Sequence, residues 1–125
     1  MGSPNDRKYA ESHEWHKVEG DVVVIGISQF AVDELTDVTF VDIIKKSGPV
    51  KKGQSFGEVE SVKATSEIYS GVEGEIVAFN QEVIDNPGLL NEDPWNKGWL
   101  VKVKPVSLAS LDALLDAAAY DKQHG

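Results

Sequence analysis

Four consecutive β-branched residues, Val22-Val23-Val24-Ile25, do most to restrict the fold. A strand with one wet face alternates apolar and polar side chains, whereas an unbroken apolar run needs cover on both faces. A chain of 125 residues has material for one domain and not for two separate cores. The cover must therefore come from the rest of the same short chain. Glu14 to Val18, Val38 to Ile44, Gln54 to Val62, Ala64 to Tyr69, Glu75 to Asn80 and Trp99 to Lys104 all have strand character. Lys45 to Pro49 and Ser70 to Gly74 read as turns, and Asp85 to Gly98 as a loop with one helical turn.

Two segments read as helices. Ser28 can cap a short helix near 28–35 in which Phe30, Ala31 and Leu35 share a side. Leu108, Leu111, Leu114, Leu115 and Ala118 recur at three and four, which predicts a C-terminal helix near 107–119 capped by Ser107. The expected architecture is mostly β: a small sandwich or flattened barrel with a C-terminal helix. Residues 1–7 read as an N-terminal tail that includes expression-derived residues, and 8–125 as a single domain.

Composition narrows the function. Lys and Arg number 12 against 21 Asp and Glu, a formal charge of −9, which disfavours nucleic acid and anionic lipid as partners. With no cysteine, disulfide scaffolds, thiolate metal sites and cysteine nucleophiles are excluded. No apolar run approaches the roughly 18 residues of a membrane span, and the polar start lacks a secretory apolar core. The expectation is a cytoplasmic protein.

Ordinary enzyme motifs are missing. His13-Glu14-Trp15-His16 is one residue short of H-E-x-x-H, and in a strand its two imidazoles project to opposite faces. It reads as a surface strand anchored by Trp15. Ser12-His13-Glu14 has the residue types of a hydrolytic triad, but neighbours in an extended chain cannot converge on one point. The doublets Lys45-Lys46 and Lys51-Lys52 read as solvated charge, and Asn91-Glu92-Asp93 lacks the frame of a calcium loop. Glycine-rich phosphate loops are also lacking.

Lys63 stands apart as the only basic residue between Lys52 and Lys97. It sits between two strand-like stretches, with Ser61, Ala64, Thr65 and Ser66 as small neighbours and several acids nearby. On spacing alone it is either a solvated turn lysine, the commoner case, or an amine held on a hairpin for another enzyme to acylate.

The string Glu60-Ser61-Val62-Lys63-Ala64-Thr65-Ser66-Glu67-Ile68-Tyr69-Ser70 resembles the lipoylation segment of glycine cleavage system H proteins. So do Ser12-His13-Glu14-Trp15, Gly26-Ile27-Ser28, Gly74-Glu75-Ile76, Pro87-Gly88-Leu89-Leu90-Asn91 and Gly98-Trp99-Leu100, covering about residues 8 to 120. Val62 and Ala64 differ from the methionines that flank the lysine in biotin carriers, and Val62 from the Asp of dehydrogenase lipoyl domains. Gly71 stands where relatives commonly have Pro, and Phe30 and Glu34 lie in a segment where some relatives carry histidines.

The resemblance implies a hybrid barrel-sandwich of antiparallel sheets and a carrier rather than a catalyst. Lipoate is expected as an N6-lipoyllysine at Lys63, attached by a lipoate ligase or a lipoyl/octanoyl transferase. The expected partners are a pyridoxal-phosphate glycine decarboxylase, an aminomethyltransferase and dihydrolipoyl dehydrogenase, served by a monomer. Ser12, Glu14 and Glu67 are candidates for contacting the loaded arm, with Glu14 or Glu67 as counter-charge for its amine. An H-like lipoyl relay for another pathway is the alternative. The setting is a bacterial cytoplasm, or a mitochondrial matrix for a processed form.

Overall fold

The computed structural model describes residues 3–124; Met1 and Gly2 of the expected tail fall outside them. The strands are β1 (Lys8–Tyr9), β2 (Glu14–Glu19), β3 (Val22–Ile27), β4 (Val38–Asp42), β5 (Gly48–Val50), β6 (Ser55–Ser61), β7 (Thr65–Tyr69), β8 (Gly74–Phe79) and β9 (Val101–Pro105). The helices are α1 (Gln29–Leu35), α2 (Gln81–Asp85), α3 (Leu89–Glu92) and α4 (Ala117–His124). Two antiparallel sheets result, ordered β1-β2-β3-β9-β8-β5 and β4-β6-β7.

The double cover demanded by the β-branched run is present. Val23, Ile25 and Ile27 belong to the main core, with Val41, Phe56, Val59 and Ile68 of the smaller sheet. Val24 belongs instead to a second cluster with Tyr9, Trp15, Ala117 and Tyr120. Gly26 leaves room for Trp15, because a Cβ there would stand 2.5 Å from the indole.

Three segments differ from the sequence reading. Gly48 and Pro49, expected in a turn, form part of edge strand β5 paired with β8; an edge tolerates a residue that has no N–H to give. Helix α2 was not expected: Asn80 Oδ1 caps it by accepting the Glu82 N–H at 3.1 Å. The C-terminal helix divides. Ser107 Oγ accepts the Ala109 N–H at 3.0 Å and a 3-10 turn follows over Ala109–Ala113. Leu115 then exchanges two backbone hydrogen bonds with Tyr9, at 2.7 and 2.8 Å. Asp116 restarts the helix as its side chain accepts the Ala119 N–H at 2.8 Å. Pairing with β1 wins over continued helix at Leu115. Further upstream, Ser3 bonds Asp121 through its N–H and its hydroxyl, and Arg7 is buried.

Candidate functional site

Lys63 lies at the tip of the β6–β7 hairpin. Glu60 pairs with Thr65, and the Ser61 N–H donates to the Ala64 carbonyl at 2.8 Å, closing a turn with Val62 and Lys63 at its centre. Tight hairpins favour left-handed central residues, yet neither Val62 nor Lys63 has a positive φ. A side chain compensates. Ser61 Oγ accepts the N–H groups of Lys63 and Ala64, both at 3.1 Å, and donates to the Ala64 carbonyl at 3.2 Å. The tip is thereby ordered while Val62 stays 80% exposed and Lys63 is open to solvent. Lys63 forms no ion pair among the described residues.

Beside the tip is a cleft of about 350 Å³. Its apolar lining comes from Ile27, Ala31, Leu35 and Ile68, and Ser12, His13 and Glu34 add polar groups. Lys63 and the residues up to Ser66 complete it. The local sequence explains the wall opposite the hairpin. Ser28 Oγ accepts the Ala31 N–H at 3.2 Å and starts α1. The spacing of Ala31, Glu34 and Leu35 then turns all three to one side. Glu34 is not among the residues expected from the sequence at this site, although the Ser28 cap and helical spacing make its side of α1 legible.

Of Ser12, Glu14 and Glu67, only Ser12 lines the cleft. Glu14 is 0% exposed, with one carboxylate oxygen accepting from Ser12 Oγ at 2.5 Å and the other from the Tyr69 N–H at 3.0 Å. It straps β2 to the lysine-bearing hairpin. Burial pushes its carboxyl up to about 7, against the opposing pull of the Ser12 and Tyr69 hydrogen bonds. Glu67 is exposed and accepts from the Tyr69 hydroxyl at 3.1 Å. The acidic side chain that does line the cleft is Glu34.

The two histidines do point apart, but strand alternation is not the reason. His13 precedes β2, in a turn where its N–H donates to the Ala10 carbonyl at 2.9 Å, and the segment is no surface strand. His16 is 1% exposed; its Nε2 accepts the Gly71 N–H at 2.9 Å, and burial holds it down at about 4. His13 Nδ1 lies 2.8 Å from the Tyr120 hydroxyl, which is 2.5 Å from Ser28 Oγ. This chain of hydroxyls links α4, the start of α1 and the cleft. Burial, and then the nearby His124, lower the His13 imidazole. No group of three or more candidate metal ligands occurs among the described residues.

The family model described as “Glycine cleavage H-protein” matches residues 7–124. A glycine cleavage system H protein of Bordetella pertussis is 51% identical over 125 residues, covering 100% of both chains. Its counterpart from Bordetella avium is 50% identical over 121 residues, 97% of this chain and 96% of the relative. The fold is similar to the crystal structure of a glycine cleavage system H protein from Mycobacterium marinum. That similarity has a TM-score of 0.88 at 36% identity, covering 97% and 98% of the two chains.

Proposed function

The chain belongs to the glycine cleavage H-protein family, and from that membership we propose that Lys63 is the residue on which it carries lipoate. The protein is a lipoyl-carrying shuttle of the glycine cleavage system. The observation that carries the assignment to Lys63 is its presentation: a solvent-exposed amine at the tip of a hairpin organised by Ser61, beside a cleft. Small neighbours on a rigid turn let an acylating enzyme reach the amine. The cleft falls in the range of about 300–1,000 Å³ common for ligand sites, and its apolar lining suits a hydrocarbon and sulfur arm. When attached, lipoate supplies a disulfide that accepts the methylamine group of glycine and later hands it on.

The chain's own residues orient and shelter that arm. Ile27, Ala31, Leu35 and Ile68 exclude water from its apolar part. Glu34 at the cleft offers a negative charge to a cationic amine. Acylation of Lys63 removes its positive charge, leaving the hairpin with Glu58, Glu60 and Glu67. An acidic carrier of this kind is steered to basic docking faces without being held there.

On this reading the protein is a monomer and a carrier rather than a catalyst, with residues 8–125 as its single domain. It visits a pyridoxal-phosphate glycine decarboxylase, an aminomethyltransferase and dihydrolipoyl dehydrogenase, after attachment of lipoate by a ligase or a lipoyl/octanoyl transferase. No helix among the described residues is long and apolar enough to cross a membrane, which is compatible with the bacterial cytoplasm that we infer. Reconstitution with the three partner enzymes tests the role: Lys63→Arg is expected to abolish glycine turnover. Turnover at the wild-type rate with that variant would overturn it.

A further inference from the structure

Among the described residues, only His13 (φ 84°) and Thr36 (φ 64°, ψ −132°) combine a side chain with a positive φ, and both flank the cleft. His13 lines it, and Thr36 ends α1, the helix that supplies Ala31, Glu34 and Leu35 to its wall. A β-branched residue pays heavily for this backbone conformation and holds it only where the surroundings enforce it. Within α1 itself the Thr36 N–H donates to the Val32 carbonyl at 3.0 Å and its hydroxyl to the Leu35 carbonyl at 2.5 Å. The hold from outside the helix comes from one side chain on α3. Asn91 of α3 donates through Nδ2 to the Thr36 carbonyl at 2.7 Å and accepts the Val38 N–H through Oδ1 at 2.9 Å. Its amide therefore grips the chain on both sides of Asp37, between the end of α1 and the start of β4. Asn91 is exposed and does not line the cleft.

We propose that Asn91 is a positioning residue for the carried arm: its two hydrogen bonds hold strained Thr36 in place, and so fix α1 as the wall facing Lys63. The proposal rests on the cleft being where the arm shelters, as argued under Proposed function. If the grip is released, Thr36 relaxes toward negative φ and α1 swings with it, loosening the wall that carries Glu34. A glycine at position 36 holds a positive φ without strain, so it should make the grip unnecessary.

The test uses the full chain, lipoylated and checked by mass, as wild type, Asn91→Asp, Thr36→Gly and the double variant. Asn91→Asp keeps an acceptor for Val38 and loses the donor to Thr36. Two quantities are read: amide hydrogen exchange of Val32 to Leu35, and the half-life of the carried methylamine group once glycine and the decarboxylase are removed. For Asn91→Asp, exchange should quicken and the half-life shorten by about fivefold, the worth of one hydrogen bond. In the double variant both should return toward wild type. Unchanged α1 exchange in Asn91→Asp, a loosened α1 with an unchanged half-life, or no rescue by Thr36→Gly would each overturn the proposal. A wild-type half-life no longer than on free lipoamide removes the shelter itself, and the positioning role with it. That failure is recognised by its appearance without any variant.

Discussion

The hydroxyl oxygen of Ser61 stands 3.1 Å from the backbone nitrogen of Lys63 and 3.1 Å from that of Ala64. One side chain thus satisfies both amides of a turn whose central residues avoid the left-handed region. Ser61→Ala should cost about 1 kcal/mol, as loss of a comparable capping hydroxyl does, and should slow lipoate attachment several-fold by letting the tip fluctuate. Ser61→Thr keeps the hydroxyl and should stay near wild type. Time courses of adduct formation by intact mass, with urea unfolding of each variant, check this; an Ala variant acylated as fast as wild type would contradict it.

Gly71 is fixed by His16. Its N–H donates to His16 Nε2, and a Cβ at position 71 would stand 2.8 Å from that nitrogen. A proline at this position therefore does not fit here. Gly71→Pro removes the donor to a buried imidazole and adds a clash. We expect a loss of about 3 kcal/mol in urea unfolding. A variant as stable as wild type would show that the contact is dispensable.

Glu14 and His16 give the stability an unusual pH dependence, because they are buried with opposite shifts. The folded protein holds the Glu14 proton up to about pH 7 instead of 4.5. That group's stabilisation is complete below 4.5 and is lost as pH rises through 7. His16 titrates at about 4 instead of 6.5. Its stabilisation is complete above 6.5 and is lost as pH falls through 4. Between 4.5 and 6.5 the two slopes oppose one another. Glu14→Gln should unmask a loss toward acid, and His16→Gln a loss toward neutral pH, each on the order of 3 kcal/mol across its window. Urea unfolding through that range reads both; parallel profiles for the two variants would contradict the account.

At the cleft, Glu34 is exposed, so its charge should matter modestly. Exposed pairs contribute about 0.2–1 kcal/mol. Glu34→Gln should shorten the half-life of the carried methylamine group by about twofold, and added salt should do the same to wild type. A half-life insensitive to both would remove Glu34 from the sheltering role.

Local chemistry decided how much of this could be read beforehand. The Val22 to Ile25 run announced a doubly covered strand, Ser28 announced α1, and the two strand-like stretches on either side of Lys63 announced a turn there. Strand β5 and the break at Leu115 depend on pairing partners that are distant in sequence, Glu75 and Tyr9, so no local pattern reveals them. The acidic candidates show the same limit. Alternation assigns Glu14 to a face, but only the packed fold shows that face closed over by Tyr69 and Ser12. Glu34 entered the cleft through helical spacing, and Asn91 reached Thr36 across 55 residues.

The most direct test is peptide-level mass mapping after treatment with lipoate, ATP and a lipoate ligase. A single lipoyl adduct is predicted, confined to the peptide containing Lys63 and missing from the Lys63→Arg variant. An adduct on any other lysine, or one that survives that substitution, would contradict the assignment.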